Sequence, residues 1–122
     1  MKYMFLTYLD EKAWLNLSEA EQQELMNQCM PHVKQLIEAG KFLEGAPLHP
    51  TSTGATVRLR DGKPLVIDGP FAETREQVGG YTLIEANDME EAIRIATGFL
   101  GKSSPATIEV RRVVEWNRPA TQ

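Results

Sequence analysis

The run "TVRLRDGKPLVIDGPFAETREQVGGYTLIEA", Thr56 to Ala86, decides the fold. Its first part alternates apolar with charged residues, stops at Asp61-Gly62 and resumes through Lys63-Pro-Leu-Val-Ile67. Two such arms around an Asp-Gly pair predict a β-hairpin whose turn matches the twist of its strands. Pro64 has no N–H to give a ladder, so the second arm is expected at a sheet edge. "GYTLIEA" reads as a further strand. Between the arms and that strand lies Asp68-Gly-Pro-Phe-Ala-Glu-Thr-Arg-Glu-Gln-Val-Gly-Gly80, neither a good helix nor a good strand. It is either a plain connector or a loop that carries a site.

Upstream, Lys2 to Leu9 is rich in Tyr, Phe and Leu and suits a first strand. From Ser18 the period changes. Ser18 and Glu21 have capping-box spacing, and apolar residues then recur at Leu25, Met26, Cys29, Met30, Val33, Leu36 and Ile37 up to the stop at Gly40. Pro31 interrupts this row, which predicts a kinked helix or two pieces, the kink being preferred because the spacing runs through. "KFLEGAPL" is a second strand. Downstream, "NDMEEAIRIATGFL" is a helix with Asn87 and Glu90 as cap partners and Met89, Ala92, Ile93 and Ala96 on its buried side. "ATIEVRRVVEW" is the last strand. The order strand, helix, strand, hairpin, strand, helix, strand is an α+β, ferredoxin-like split βαβ plan with an extra hairpin arm.

In that plan both helices cover one sheet face. The first strand is nonetheless apolar on both sides, Tyr3, Phe5 and Leu9 alternating with Met4, Leu6 and Tyr8. A homodimer that buries the second face is therefore expected.

The composition sets further bounds. A chain of 122 residues, 42% hydrophobic and 25% charged, is expected to form one globular domain over residues 1–116, with 117–122 as a flexible tail. A net charge of -4 argues against nucleic acid as a partner. The single cysteine, Cys29, rules out an internal disulfide. No apolar run approaches the roughly 20 residues of a membrane span, and the N-terminal stretch lacks signal-peptide character, so a cytoplasmic location is expected.

The stretches "MKYMFLTYLDEKAW", "TVRLRDGKPLVIDGPFAETREQVGGYTLIEANDMEEAIRIA" and "IEVRRV" resemble the DGPF-domain proteins, a branch of the YCII-related superfamily. The resemblance covers nearly the whole chain. It implies a dimeric α/β barrel, two sheets packed face to face around a cavity, in a family whose biochemical function is mostly uncharacterised. Some members are encoded beside alternative sigma factors. Related YCII proteins are similar in carrying a histidine on the first helix and an acid, proposed as a catalytic pair, and one relative is a dehydrochlorinase of chloroaromatic breakdown. This sequence departs from them: the histidine position falls near Cys29, and His32 stands about one turn later.

Among residues able to carry chemistry, Asp68 leads. Gly69-Pro70 restricts the backbone after it, so its carboxylate can be held as a general base or ligand contact, or can cap the turn. His49 is the tentative second catalytic candidate, since a histidine imidazole can exchange protons with a substrate. Arg58 and Arg60 share a strand face and can clamp a carboxylate if that face lines a cavity, or stand in solvent. Phe71 is expected to pin the loop to the core, and Tyr81 to line the inner sheet with a partner for its hydroxyl. Arg58, Arg60, Phe71 and Tyr81 make up the candidate ligand-binding set. No zinc spacing, phosphate loop or nucleophile elbow occurs, so no metal or cofactor is expected. The readings this leaves are a small-molecule-binding dimer with its cavity near the Asp68–Phe71 loop and a polar or acidic metabolite as ligand, a cofactor-independent acid/base enzyme, or a regulatory adaptor.

Overall fold

The computed structural model describes residues 1–116; the tail expected at 117–122 lies outside the described residues. Ten elements follow one another: β1 (Lys2–Leu9), α1 (Glu11–Leu15), α2 (Glu19–Glu38), β2 (Phe42–Pro47), a 3-10 turn (Thr51–Thr53), β3 (Ala55–Arg60), β4 (Lys63–Asp68), β5 (Gln77–Glu85), α3 (Met89–Leu100) and β6 (Thr107–Arg112). β2, β5, β1 and β6 form, in that order, an antiparallel sheet, while β3 and β4 pair only with each other. With β3 and β4 set aside, the strand order fits the ferredoxin-like plan. The chain is thus α+β with antiparallel sheets.

The register assigns the faces. Tyr3 pairs with Ile84, and Phe5 with Thr82 and Val110, on the face under the helices. Tyr3, Phe5 and Ile84 are buried there with Leu36 of α2 and Ala92, Ile95 and Ala96 of α3. Met4, Leu6 and Tyr8 lie on the other face, which no helix covers. At the far end of β1 the register slips, Thr7 facing Gly80 but Tyr8 facing Val78, so Gly79 is the extra residue of a bulge.

Local chemistry accounts for the helix ends. The Ser18 hydroxyl accepts from Glu21 N–H at 3.1 Å and the Glu21 carboxylate accepts from Ser18 N–H at 3.0 Å, closing the capping box. α2 then runs as one piece through Pro31, which is exposed; the Asn27 carbonyl loses its helical partner on the water side, where solvent can serve it. α1 was not foreseen; Asp10 caps it by accepting from Ala13 N–H at 3.1 Å. The α3 cap is one residue later than expected. Asp88 accepts from Glu91 N–H at 2.8 Å, and Glu91 in turn takes Lys41 at 3.2 Å and the Asn87 amide, so Asn87 stays outside the helix. Ala92 and Ala96 are buried as expected and Ile95 joins them, while Met89 and Ile93, both expected inside, are exposed.

α2 and α3 lock through His32. Its Nε2 lies 2.8 Å from the Ile95 carbonyl, which can only accept, so that nitrogen carries the proton. The His32 ring meets Phe99 edge-on at 5.0 Å, and Phe99 meets Phe5 edge-on at 5.9 Å. Gly98 makes this possible: a Cβ there would lie 2.5 Å from the imidazole.

Glycine to alanine inside a helix ordinarily stabilises by up to about 1 kcal/mol. At position 98 the anchored imidazole cannot yield, and Gly98→Ala is expected to destabilise by about 1–3 kcal/mol in urea unfolding; a stabilised variant would contradict this packing.

Three carboxyls sit below their ordinary values: Glu21 through the Ser18 N–H, Asp10 through the Ala13 N–H and then Arg75, and Glu91 through Lys41. In the unfolded chain they titrate near 4.5 for Glu and 3.8 for Asp. Their contribution is therefore complete above those values and is lost as pH falls through the lower folded ones. The melting temperature should stay level from neutrality to about pH 5 and drop below about pH 4.5, with Glu21→Gln, which keeps the capping bonds, removing part of the drop.

Candidate functional site

At the end of the sheet away from the core, helix and sheet layers fail to meet. On the covered face, Thr7 has Gly80 as its neighbour and Thr82 has Gly45. Those glycines leave the floor low where Phe5 and Ile84 raise it elsewhere. The α2 row from Leu25 to Val33 consequently spans a gap instead of a core; only Leu36 of the row is buried, and Met26 and Met30 are exposed. A cleft of about 470 Å³ results, within the range of small-molecule sites. Its roof is Leu25, Met26, Cys29, Met30 and Val33, and Phe42, Phe99 and Ile108 close its sides. Gly45 cannot be enlarged freely, because a Cβ would stand 3.0 Å from the Tyr81 carbonyl and 3.1 Å from the Phe42 ring.

The mouth is closed on one side by Trp14 and Leu15 of α1 and by Leu48 and Pro50 before the 3-10 turn. Glu11 staples these two segments, its carboxylate accepting from Thr51 N–H at 2.8 Å and from the Thr51 hydroxyl at 2.7 Å. No Lys, Arg or His is among the lining residues, and Glu11 is the one charged group. The Cys29 thiol donates to the Met26 carbonyl at 3.1 Å. Among the described residues there is no cluster of His, Cys, Asp and Glu able to hold a metal ion, and no helix long and apolar enough to cross a membrane.

The residues singled out by sequence lie mainly elsewhere. Asp68 ends β4, exposed, on the arm face that also carries Val57, Leu59 and Val66, and it neither caps the turn nor bonds another titratable group among the described residues. Gly69 after it holds φ 93 and donates to the Gly54 carbonyl at 2.8 Å, so glycine, not the acid, makes this corner. Arg58 and Arg60 project from the opposite arm face into solvent. Phe71 does not pin the loop: it is 77% exposed, with the Arg58 guanidinium 5.8 Å from its ring centre. The loop is instead tied by Arg75 to Asp10 at 3.2 Å and by the Gln77 amide, which donates to the Ala72 carbonyl at 2.7 Å. His49 is exposed between two residues of the cleft mouth. His32 spends its imidazole on packing. Of the six candidates, the structure brings together Arg58 and Phe71, and only Tyr81 borders the cleft.

Tyr81 nevertheless points its ring to the uncovered face beside Leu6, where its hydroxyl donates to Glu44 at 3.0 Å. Tyr8 likewise donates to Glu109 at 3.0 Å. Both phenols titrate above their ordinary range, first because ionisation would forfeit the hydrogen bond each hydroxyl donates to its carboxylate, and also because it would set a phenolate against that carboxylate. Sequence reasoning missed the cleft residues Thr7, Thr82, Gly45 and Trp14. Their signal is that threonine and glycine occupy covered-face positions of otherwise apolar strands, which becomes visible only with the register.

Residues 1–117 match the family model described as the YCII-related domain. A protein of Rhizobium meliloti, itself described as uncharacterised, is 37% identical over 107 residues, 88% of this chain and 86% of its own length.

Because the Asp68 carboxylate makes no bond among the described residues, Asp68→Asn is expected to shift unfolding free energy by no more than about 0.5 kcal/mol. A loss of 1 kcal/mol or more, on the order of a lost cap, in a urea titration would mean that the acid holds the turn.

Proposed function

The chain belongs to the YCII-related domain family, and from that premise we propose that it is a small-molecule-binding protein acting as a homodimer, with its ligand in the cleft between α2 and the sheet. The observation that carries the reading is the cleft itself: a folded layer interface left open by glycine at two neighbouring floor positions, bounded by apolar side chains. Cores of this size normally close such gaps, since a void forfeits packing along its whole lining.

The dimer is supported by what the single chain leaves uncovered. Among the described residues only eight hydrophobic side chains are buried. Met4, Leu6, Tyr8, Tyr81 and Leu83 share the face without helices, and its Glu109 and Glu44 are already engaged by tyrosines. On the arm, Val57, Leu59 and Val66, each more than 60% exposed, share one face, with Asp68 at its end. Two copies packed sheet to sheet remove this surface from water and produce a dimeric α/β barrel, the hydrophobic term being roughly 25 cal/mol for each Å² covered. Size fits this arrangement: a face of four strands is only about 20 Å wide, and the arm extends the contact toward the roughly 800 Å² per partner of a stable interface.

Native mass spectrometry tests both halves separately. The expected species is a dimer carrying a non-covalent organic molecule that is released on denaturation. Leu6→Asp, which leaves the helix-side core untouched, should give monomer; Val33→Trp, which fills the cleft, should lose the adduct and keep the dimer. A strict monomer at micromolar concentration removes the dimer, and an adduct indifferent to Val33→Trp places the ligand elsewhere.

A further inference from the structure

We infer that the cleft selects an uncharged, largely apolar molecule bearing one hydrogen-bonding oxygen, and that Thr7 and Thr82 recognise that oxygen. This rests on the reading that the cleft is the ligand site, and it adds the chemical class.

Charge decides the first part. An anion entering the cleft loses its hydration and meets no Lys, Arg or His to replace it, while the Glu11 carboxylate repels it. A cation fares no better. Both Glu11 oxygens already accept from Thr51, through its N–H and its hydroxyl, so that pairing with a cation would open the staple at the mouth. A neutral molecule carries neither cost.

The floor decides the second part. Thr7 and Thr82 are the two hydroxyl-bearing side chains on the covered face there, each beside a glycine that keeps its surroundings open. The register makes them diagonal neighbours on adjacent strands, roughly 7 Å apart. Neither hydroxyl bonds a described residue, and neither is sealed from the cleft, since no buried side-chain oxygen lacks a partner. A wholly apolar occupant would strip both hydroxyls of hydrogen bonds, whereas an alcohol or carbonyl oxygen lodged between them restores those bonds. Each hydroxyl can donate or accept, which suits a neutral oxygen of either kind. The body of the molecule then lies under Leu25, Cys29 and Val33.

Trp14 lines the mouth and gives the readout. The protein contains two tryptophans, so in a Trp116→Phe background Trp14 reports alone. At neutral pH and below their critical micelle concentrations, n-decanol, decanoate and decylamine present one chain with neutral, anionic and cationic heads. n-Decanol is expected to change the emission saturably, with decanoate and decylamine at least about tenfold weaker. Thr7→Val combined with Thr82→Val should weaken n-decanol by roughly tenfold while Thr82→Ser retains it, with thermal melts checking that each variant is folded. Decanoate or decylamine binding as tightly as n-decanol overturns the neutral class yet leaves the cleft as a ligand site. Folded valine variants that bind n-decanol unchanged overturn the threonine role. Failure of all three probes overturns the proposed class, and the adduct seen or not seen by native mass spectrometry then decides separately whether the cleft binds a small molecule at all.

Discussion

Phe99 stands edge-on between Phe5 beneath it and His32 above it, and the imidazole of His32 reaches on to the Ile95 carbonyl. This stack fixes the height at which the helix layer rides over the sheet. Where Tyr3, Phe5 and Ile84 rise to that height, the layers close into a core. Where Gly80 and Gly45 take their places, the same height leaves a space. Core and cleft are thus two results of one spacing, and Gly98 underwrites it by admitting the imidazole.

Much of the fold can be read from sequence because it is specified locally. Ser18 and Glu21 announce the start of α2; Asp61 and Gly62, both at positive φ, make the tight turn between β3 and β4. Even the unhelical Gly79-Gly80 pair marks the bulge at the start of β5. Boundaries are less secure than existence. Asn87-x-x-Glu90 and Asp88-x-x-Glu91 are equally plausible cap pairs, and Lys41, distant in sequence, favours the second by engaging Glu91.

The cleft was not legible for a different reason. A 3.6-residue period tells which side of α2 faces the sheet, but not whether the sheet rises to meet it. Leu25, Cys29 and Val33 therefore read as core although they roof a space. Knowing that Gly45 faces Thr82 and Gly80 faces Thr7 requires the strand register, which depends on pairings between residues about 40 to 70 positions apart. The Asp68–Phe71 run misled in the opposite sense. Its acid, turn and aromatic have the composition of a site, yet Gly69 supplies the conformation, Phe71 stands exposed beside Arg58, and the arm projects from the sheet.

Pro31 gives the roof a mechanical character of its own. It omits the rung of α2 from position 31 back to the Asn27 carbonyl, close to where the helix passes from spanning the cleft to resting on Leu36 and His32. The supported length is clamped by the aromatic stack, while the spanning length is held by its cap and by the Gln22 amide, which donates to the Trp14 carbonyl at 2.9 Å. Amide hydrogens in the two lengths consequently exchange under different constraints, the spanning length being able to open without unfolding the core. The beam over the cleft is hinged at one end and latched at the other.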